Sequence, residues 1–201
     1  QSKADKFEPN TTVLNVIKKL PVRYYRDQNG KTKFNLIQRG NQIFHEDQPD
    51  QAISNQDHIL SLEFLTGKWL EHYVYELLYN CNFINNETLY LGQEIQFINN
   101  PQAYFELDVV FSKGYQLYLV SCTTERDKAK CKGKGFEAIA RARQIGGDEA
   151  RAIVVCLNDQ FIGVLNYELQ EFVGANKIKY IGYNNLYPDD LLDKIKDFVE
   201  T

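Results

Sequence analysis

The order of apolar periodicities after Leu62 constrains the fold of this 201-residue chain more than any other feature. Apolar residues recur at helical spacing from Leu62 to Tyr79. Three segments with strand character follow, at Tyr90–Ile98, Tyr104–Phe111 and Gln116–Ser121, and a tight turn joins the last two. Two hairpin strands that lead into a helical crossover predict a mixed sheet with helices on its faces.

The remaining elements complete this α/β pattern. A lysine- and glycine-rich loop is expected after the third strand, and a helix from Gly135 to Ile145 ends at a Gly-Gly pair. Arg151–Leu157 is almost continuously apolar, as in a strand buried on both faces. A last strand is predicted at Lys177–Gly182 and a last helix at Asp189–Val199.

The N-terminal part is predicted to lie outside the compact domain. Residues 1–58 are expected to form a small extension and connector, and residues 59–201 the α/β domain. Within the extension, the pattern predicts a helix at Thr11–Leu20 and a hairpin within Tyr24–Phe44 around an Asn-Gly dipeptide. Residues 45–58 are rich in Asp, Gln, Asn and His and are interpreted as the connector.

Composition excludes several classes of protein. The apolar share of 43% and the charged share of 25% are ordinary for a soluble domain. We find no signal-peptide pattern at the N-terminus and no apolar run near the length of a membrane span. The four cysteines form no CxxC pair, so a zinc site of that kind is not expected, and their use fits a reducing cytoplasm.

Charge is unevenly distributed along the chain. The net charge of −4 argues against a protein that coats nucleic acid non-specifically. Between residues 126 and 151, however, eight basic and four acidic residues leave a local balance of +4. This segment predicts a surface for the nucleic-acid backbone, and the alternative is a solvated lysine-rich loop. Its candidate binding residues are Lys128, Lys130, Lys132, Lys134 and Arg141.

Two acidic residues lie within the second predicted strand. Because strand side chains alternate, Glu106 and Asp108 share a face, where unpaired burial would be costly. A pair of carboxylates suits Mg²⁺ or Mn²⁺, and the alternative is an exposed face. If Phe111 pairs with Gln116, Asp108 lies opposite Leu119 and Glu106 opposite Ser121. Ser121 and Thr123 then point to the same side as the two carboxylates.

Three motifs together resemble the PD-(D/E)xK, or restriction-endonuclease-like, superfamily. They are FLTGKWLEHYV from Phe64, ELDVVF from Glu106 and LYLVSCTT from Leu117. More narrowly, they are similar to the nuclease domain of CRISPR-associated effectors that cyclic oligoadenylate activates. The resemblance covers about residues 60–160 and implies a metal-dependent nuclease acting on DNA or RNA.

The resemblance assigns roles to particular residues. Glu71 matches the helix acid and Asp108 the strand acid, and both would bind the metal. The family's E-C-K-T strand is here Ser121-Cys122-Thr123-Thr124, so a serine replaces the second metal carboxylate and a threonine replaces the lysine. A hydroxyl binds Mg²⁺ more weakly than a carboxylate, and threonine supplies no positive charge to a reacting phosphate.

Two hypotheses follow from this altered strand. In the first, the domain is a Mg²⁺- or Mn²⁺-dependent nuclease in which Glu106 replaces the missing carboxylate and a lysine from Lys128–Lys134 returns the charge. In the second, the domain is a non-catalytic pseudo-nuclease that binds nucleic acid or mediates dimerisation. The catalytic candidates are Asp108, Glu71, Glu106, Ser121 and Thr123, and the metal candidates are Asp108, Glu71 and Glu106.

The resemblance also implies partners. Effectors of this kind carry a CARF sensor domain upstream, act in antiviral defence and work as dimers, so we expect a homodimer and a sensor domain. A chain that begins at Gln1 and contains no Met is expected to be a fragment or a processed product.

Overall fold

The computed structural model describes residues 67–174 and 176–201 in full, and five backbone strands nearer the N-terminus. The chain divides into two compact units, Gln1–Trp69 and Leu70–Thr201. The predicted helix at Thr11–Leu20 lies outside the described residues, and so do residues 62–66 of the helix predicted from Leu62. The predicted division at residues 58 and 59 stays a prediction.

The described strands of the first unit form two small antiparallel sheets. Strands β1 (Tyr24–Arg26) and β2 (Thr32–Phe34) pair with each other, which confirms the predicted hairpin. Strands β3 (Leu36–Arg39), β4 (Gln42–His45) and β5 (Gln48–Ile53) form the other sheet. The polar segment interpreted as a connector thus contains β5, because backbone groups pair in a ladder without an apolar side-chain pattern.

A five-stranded mixed sheet organises the second unit. Its strands are β6 (Leu89–Phe97), β7 (Asn100–Lys113), β8 (Gln116–Thr123), β9 (Arg151–Cys156) and β10 (Ile178–Ile181). They lie in the order β10-β9-β8-β7-β6. The pairs β6–β7 and β7–β8 are antiparallel, whereas β8–β9 and β9–β10 are parallel. The predicted α/β fold with a mixed sheet is therefore confirmed.

Four helices accompany this sheet in the described residues: α1 (Trp69–Tyr79), α2 (Lys128–Gly146), α3 (Ile162–Val173) and α4 (Pro188–Glu200). The loop predicted before Gly135 is wrong, because α2 begins at Lys128 and Asp127 caps it by accepting a hydrogen bond from the Lys130 N–H. Helix α3 was not predicted. Within the same described residues, no helix combines the length and apolarity needed to cross a membrane.

The register of β7 and β8 differs from the predicted one by two residues. Phe111 pairs with Tyr118, and Lys113 pairs with Gln116 across a two-residue turn. Gly114 occupies the turn with φ of 62°, a conformation that favours glycine and tightens the hairpin beyond the expected four-residue turn. Because the shift is even, Ser121 stays on the side of Asp108, as predicted.

Helix α2 packs closely on the core of the second unit. Cys131, Ala138, Ile139 and Ala142 belong to the same buried cluster as residues of β7 to β10. At Gly135 the approach is so close that a Cβ atom would lie 1.8 Å from the Tyr180 Oη. The backbone contact at this glycine therefore fixes how α2 is seated on the core.

Candidate active site

Asp108 lies where the side-chain alternation of β7 is interrupted. Leu107 and Val110 pack in the same core cluster although they are three residues apart, which strict alternation does not allow. On the neighbouring strand, Gly92 lies between the partners of Leu107 and Val109 and has φ of 60°. The irregular backbone at this point gives Asp108 a position that a regular strand would not provide.

The Asp108 carboxylate connects β7 to the end of β8. Its Oδ2 accepts hydrogen bonds from the Cys122 backbone N–H at 2.7 Å and from the Ser121 Oγ at 3.1 Å. The backbone pairs between the strands run from Lys113–Gln116 to Val109–Val120, so these two bonds continue the connection beyond the ladder. Ser121 therefore points towards Asp108, on the side that the sequence predicted.

The surroundings of Asp108 act on its protonation in opposite directions. Burial raises the pKa of the Asp108 carboxyl above its ordinary value. The hydrogen bond from Cys122 and the positive charge of Lys134 both oppose that rise in pKa. A second cation close to the carboxylate would offset the cost of its burial further.

A polar pocket opens beside Asp108, between the sheet and α2. Helix α2 contributes residues at positions 134, 137, 138 and 141, a spacing that places them on one helical face. The pocket brings together three carboxylates and two cations. Its lining residues are Glu106, Leu107, Asp108, Leu119, Ser121, Lys134, Glu137, Ala138 and Arg141.

The two cations of this pocket are held in different ways. The Arg141 guanidinium lies over the Phe105 ring, 4.0 Å from its centroid, and its Nη1 is 3.1 Å from the Gln144 Oε1. The Lys134 Nζ forms an ion pair with the Glu137 Oε2 at 3.3 Å, with both side chains about half exposed. Arg141 is thus fixed by stacking, whereas Lys134 has a weak and exchangeable partner.

The other three lysines of the predicted binding segment form ion pairs with glutamates. Lys128 and Lys132 share Glu168 of α3, at 2.9 and 2.7 Å. Lys130 pairs with Glu125 at 2.8 Å. The local excess of positive charge seen in the sequence is therefore partly neutralised by two glutamates that lie outside residues 126–151.

The remaining candidates lie around the end of β8. Burial, the charge of Asp108 and the charge of Glu71 hold the pKa of the Cys122 thiol well above its ordinary range. Glu71 of α1 therefore approaches Cys122, but it does not line the pocket beside Asp108. The Thr123 hydroxyl, on the last residue of β8, accepts a hydrogen bond from the Glu125 N–H at 3.2 Å.

The pocket has enough carboxylates for a divalent ion that takes only one or two of them as ligands. Within residues 67–174 and 176–201, no three His, Cys, Asp or Glu side chains are grouped so that they could hold one metal ion. Mg²⁺, however, is commonly bound by one or two carboxylates, with water and phosphate oxygens as the other ligands. Asp108 with Glu106 or Glu137 supplies that number of carboxylates.

Sequence reasoning missed Glu137 as a residue of this pocket. Lys134 and Glu137 share a helical face only if α2 includes both residues, and the expected loop ended at Lys134. The sequence signal for the earlier start of α2 was Asp127, because Asp commonly caps helices and its side chain here accepts from the Lys130 N–H three positions later.

Comparisons with known proteins identify related domains. A family model described as "Card1-like, endonuclease domain" matches residues 60–187 of this chain. The solved structure of Can2 from Sulfobacillus thermosulfidooxidans, in complex with cyclic tetra-adenylate, has a TM-score of 0.54 and 18% identity. It covers 93% of this chain and 44% of its own. No match was found among curated proteins.

A second solved structure has a similar fold. The protein VC1899 from Vibrio cholerae also has a TM-score of 0.54 and 18% identity, covering 92% of this chain and 41% of its own. At this identity both likenesses concern the fold alone. The chain spans less than half the length of either protein.

Proposed function

The chain belongs to the family of Card1-like endonuclease domains, and from that membership we propose that it hydrolyses nucleic-acid phosphodiester bonds at the pocket beside Asp108. The observation that carries the proposal is the pocket itself, where three carboxylates meet Lys134 and Arg141. A phosphate group with a divalent ion has partners for both charges there. A phosphate alone would meet one more carboxylate than cations.

Asp108 is the principal metal ligand in this proposal, and Glu106 lines the same pocket. Glu71 does not line that pocket, so it is not a ligand in this proposal. A Mg²⁺ or Mn²⁺ ion held there would withdraw charge from the phosphate and lower the pKa of a water molecule. The Ser121 hydroxyl and the Cys122 N–H orient the carboxylate through its Oδ2. Orientation by fixed donors is part of what a preorganised site contributes.

The chain's cations would act on the phosphate. The Arg141 guanidinium, held on Phe105, is placed to bind non-bridging phosphate oxygens without reorganising. In hydrolysis, the water oxygen bonds to phosphorus and the P–O bond to the leaving nucleoside breaks. The leaving oxygen gains a proton, so that one phosphodiester and one water give a phosphate monoester and an alcohol.

A second candidate function is nucleic-acid binding without cleavage. It is favoured by the two hydrogen bonds that already satisfy the Asp108 Oδ2, and by hydroxyls at Ser121 and Thr123 where the family pattern has charges. In this case the fold would hold the nucleic-acid backbone or pair with a second copy of the chain.

The wider setting is also a proposal. We propose that the domain works in a longer, cytoplasmic CRISPR-associated protein with a CARF sensor domain, and that it acts as a homodimer. The support is the family and the similarity to Can2, whose structure contains cyclic tetra-adenylate.

Cleavage assays with an isosteric variant test the proposed hydrolysis. Supercoiled plasmid, single-stranded DNA and RNA would each be incubated with Mg²⁺ or Mn²⁺ and with wild type, Asp108→Asn or Asp193→Asn. Asp193 is an exposed acid on α4 and serves as the matched control. We expect metal-dependent cutting that falls on the order of 10²-fold or more in Asp108→Asn only.

The alternatives give different results in the same assay. Binding of the substrates without cutting by any variant supports the non-catalytic function. Equal cutting by Asp108→Asn and wild type would rule out the pocket as the active site.

A further inference from the structure

We propose that Lys134 of α2 supplies to the bound phosphate the positive charge that β8 lacks at Thr123. This inference rests on the proposed function, because it concerns the same pocket. The segment Lys128–Lys134 contains four lysines that could take this role according to the sequence, and the inference selects one of them. It also places the functional cation on a helix instead of on the strand that carries it in the family pattern.

The partners of the four lysines distinguish Lys134 from the rest. Lys134 lines the pocket with Asp108 and Ser121, and its charge acts on the Asp108 carboxyl. Lys128 and Lys132 instead pair with Glu168 on α3. Lys130 pairs with Glu125, and this exposed ion pair does not border the pocket. Among these four lysines, Lys134 is therefore the one placed to meet a phosphate at Asp108.

The ion pair of Lys134 is one that a phosphate can replace. The Nζ of Lys134 lies 3.3 Å from Glu137, with side-chain exposures of 44% and 53%. Ion pairs this exposed are screened by solvent and contribute little to stability. A phosphate with a divalent ion would offer the ammonium a stronger partner, while Glu137 remains at the edge of the pocket.

The close packing of α2 on the core fixes the position of Lys134. Gly135 follows it directly, and the absence of a side chain there lets the helix backbone approach Tyr180 and Leu169. Ala138 and Ile139 of the same helix are buried in the core. The direction of Lys134 is thus set by a helix that is fixed on its inner face.

The burial of β8 gives a physical reason why the glutamate and the lysine of the family's strand are both absent, at positions 121 and 123. Thr123 is 7% exposed and Ser121 is 8% exposed. A lysine at position 123 would be a buried charge that needs a carboxylate partner, and Ser121 is not one. Without a carboxylate at position 121, a buried lysine at position 123 would destabilise the fold, whereas a half-exposed lysine on α2 keeps its charge with little loss of stability.

Two charge-neutralising variants test the inference. Lys134→Gln on α2 and Lys194→Gln at an exposed position of α4 each remove one positive charge, so their net charges are identical. Single-turnover cleavage with Mn²⁺ should fall on the order of 10²-fold in Lys134→Gln and stay within about threefold of wild type in Lys194→Gln. Equal rates in the two variants would overturn the inference and leave the proposed function standing.

A binding measurement decides the inference independently of cleavage. Affinity for a labelled oligonucleotide would be measured in EDTA at several salt concentrations. Removal of one phosphate contact should reduce the salt-dependence slope by about 0.7–0.9 in Lys134→Gln and by less in Lys194→Gln. If wild type binds but does not cut, the proposed hydrolysis fails while this comparison still decides the role of Lys134. If wild type does not bind at all, both proposals are wrong.

A double-mutant cycle separates a functional role of Lys134 from a structural one. Lys134→Gln would be introduced into wild type and into a Ser121→Glu/Thr123→Lys background that restores the family's charges on the strand. The loss of rate should be much smaller in the second background, because the strand lysine then serves the phosphate. Equal losses in the two backgrounds would contradict the proposed replacement.

Discussion

Strand β8 and helix α2 face the same pocket, yet they carry opposite kinds of side chain. On β8, Ser121 and Thr123 are neutral and nearly fully buried. On α2, Lys134 and Glu137 are charged, and about half of each side chain is exposed. Of these two elements, the strand thus places hydroxyls in the core and the helix places ionic groups at the surface.

The difference shows that whether a charged side chain can be lost from this site depends on how deeply its position is buried. A buried ion pair is destabilising when one partner is removed, by about 3–5 kcal/mol. An ion pair at the surface contributes about 0–1 kcal/mol, so either partner can change freely. A strand that loses its acid is therefore expected to lose its lysine as well, while a helix at the edge of the pocket retains its charges.

The largest expected effect concerns the inner face of α2. Gly135→Ala would place a Cβ atom 1.8 Å from the Tyr180 Oη and 2.7 Å from the Leu169 Cδ2. Because the core must shift to accept it, we expect a loss of about 3 kcal/mol in the free energy of unfolding, measured by urea denaturation. Gly133→Ala is the control, since nothing lies within 4 Å of its Cβ position and the change should stabilise the helix.

The comparison between strand and helix would be weakened by one result of this experiment. If Gly135→Ala were as stable as Gly133→Ala, α2 would not be seated closely on the core. The position of Lys134 beside Asp108 would then be adjustable instead of fixed.

Restoring both charges on the strand is the next test. Ser121→Glu together with Thr123→Lys should raise metal-dependent cleavage about 10- to 100-fold, because the acid and the lysine also provide partners for each other. Initial rates on plasmid with Mg²⁺ would measure it. Ser121→Gln with Thr123→Met has similar bulk and no charge, so a similar gain there would exclude the electrostatic explanation.

Much of the sheet could be predicted from the sequence. Strands β6 to β9 were found from apolar runs, because burial forces a pattern that local composition reveals. The register of β7 and β8 was wrong by two residues, since it depends on whether Gly114 and Tyr115 alone form the turn. The parity of the register was correct, and so Ser121 was placed on the side of Asp108.

The first turns of α2 and all of α3 could not be predicted from local pattern. Residues 126–134 contain lysines and a glycine, which are read as a loop when their long-range partners are unknown. In the fold, Cys131 is fully buried, and Glu168 of α3 holds Lys128 and Lys132. Contacts between elements about 40 residues apart stabilise this helix, and a sequence window does not contain them.

A smaller effect should follow from releasing the two lysines that α3 holds. Glu168→Gln removes the carboxylate shared by Lys128 and Lys132, whose hydrogen bonds and positive charges lower the pKa of Glu168. We expect tighter oligonucleotide binding and a salt-dependence slope that steepens by at most about 1.8, corresponding to two added phosphate contacts. Glu171→Gln on the exposed face of α3 is the matched control. An unchanged slope would mean that neither lysine reaches the nucleic acid, and would leave Lys134 and Arg141 as its contacts.

The smallest expected effect concerns the pH dependence of stability at Asp108. Burial raises the pKa of this carboxyl in the folded state, so the folded chain binds its proton more tightly than the unfolded chain does. Stability should therefore fall as the pH rises from about 4, the ordinary pKa of Asp, through the raised folded value. Asp108→Asn has no proton to lose and should not show this loss, although its amide oxygen still accepts from Cys122.

Urea denaturation of both proteins in EDTA, between pH 4 and pH 7, measures this difference. The stability of wild type relative to Asp108→Asn should decrease as the pH rises, whereas Asp193→Asn should follow wild type. A relative increase would mean that the partners of the carboxylate, Lys134 included, outweigh its burial. Adding Mn²⁺ at pH 7 should then raise the unfolding midpoint of wild type but not of Asp108→Asn, because an ion that binds only the folded carboxylate stabilises that state. In that case helix α2 and the bound ion would supply the charges that the buried strand β8 lacks.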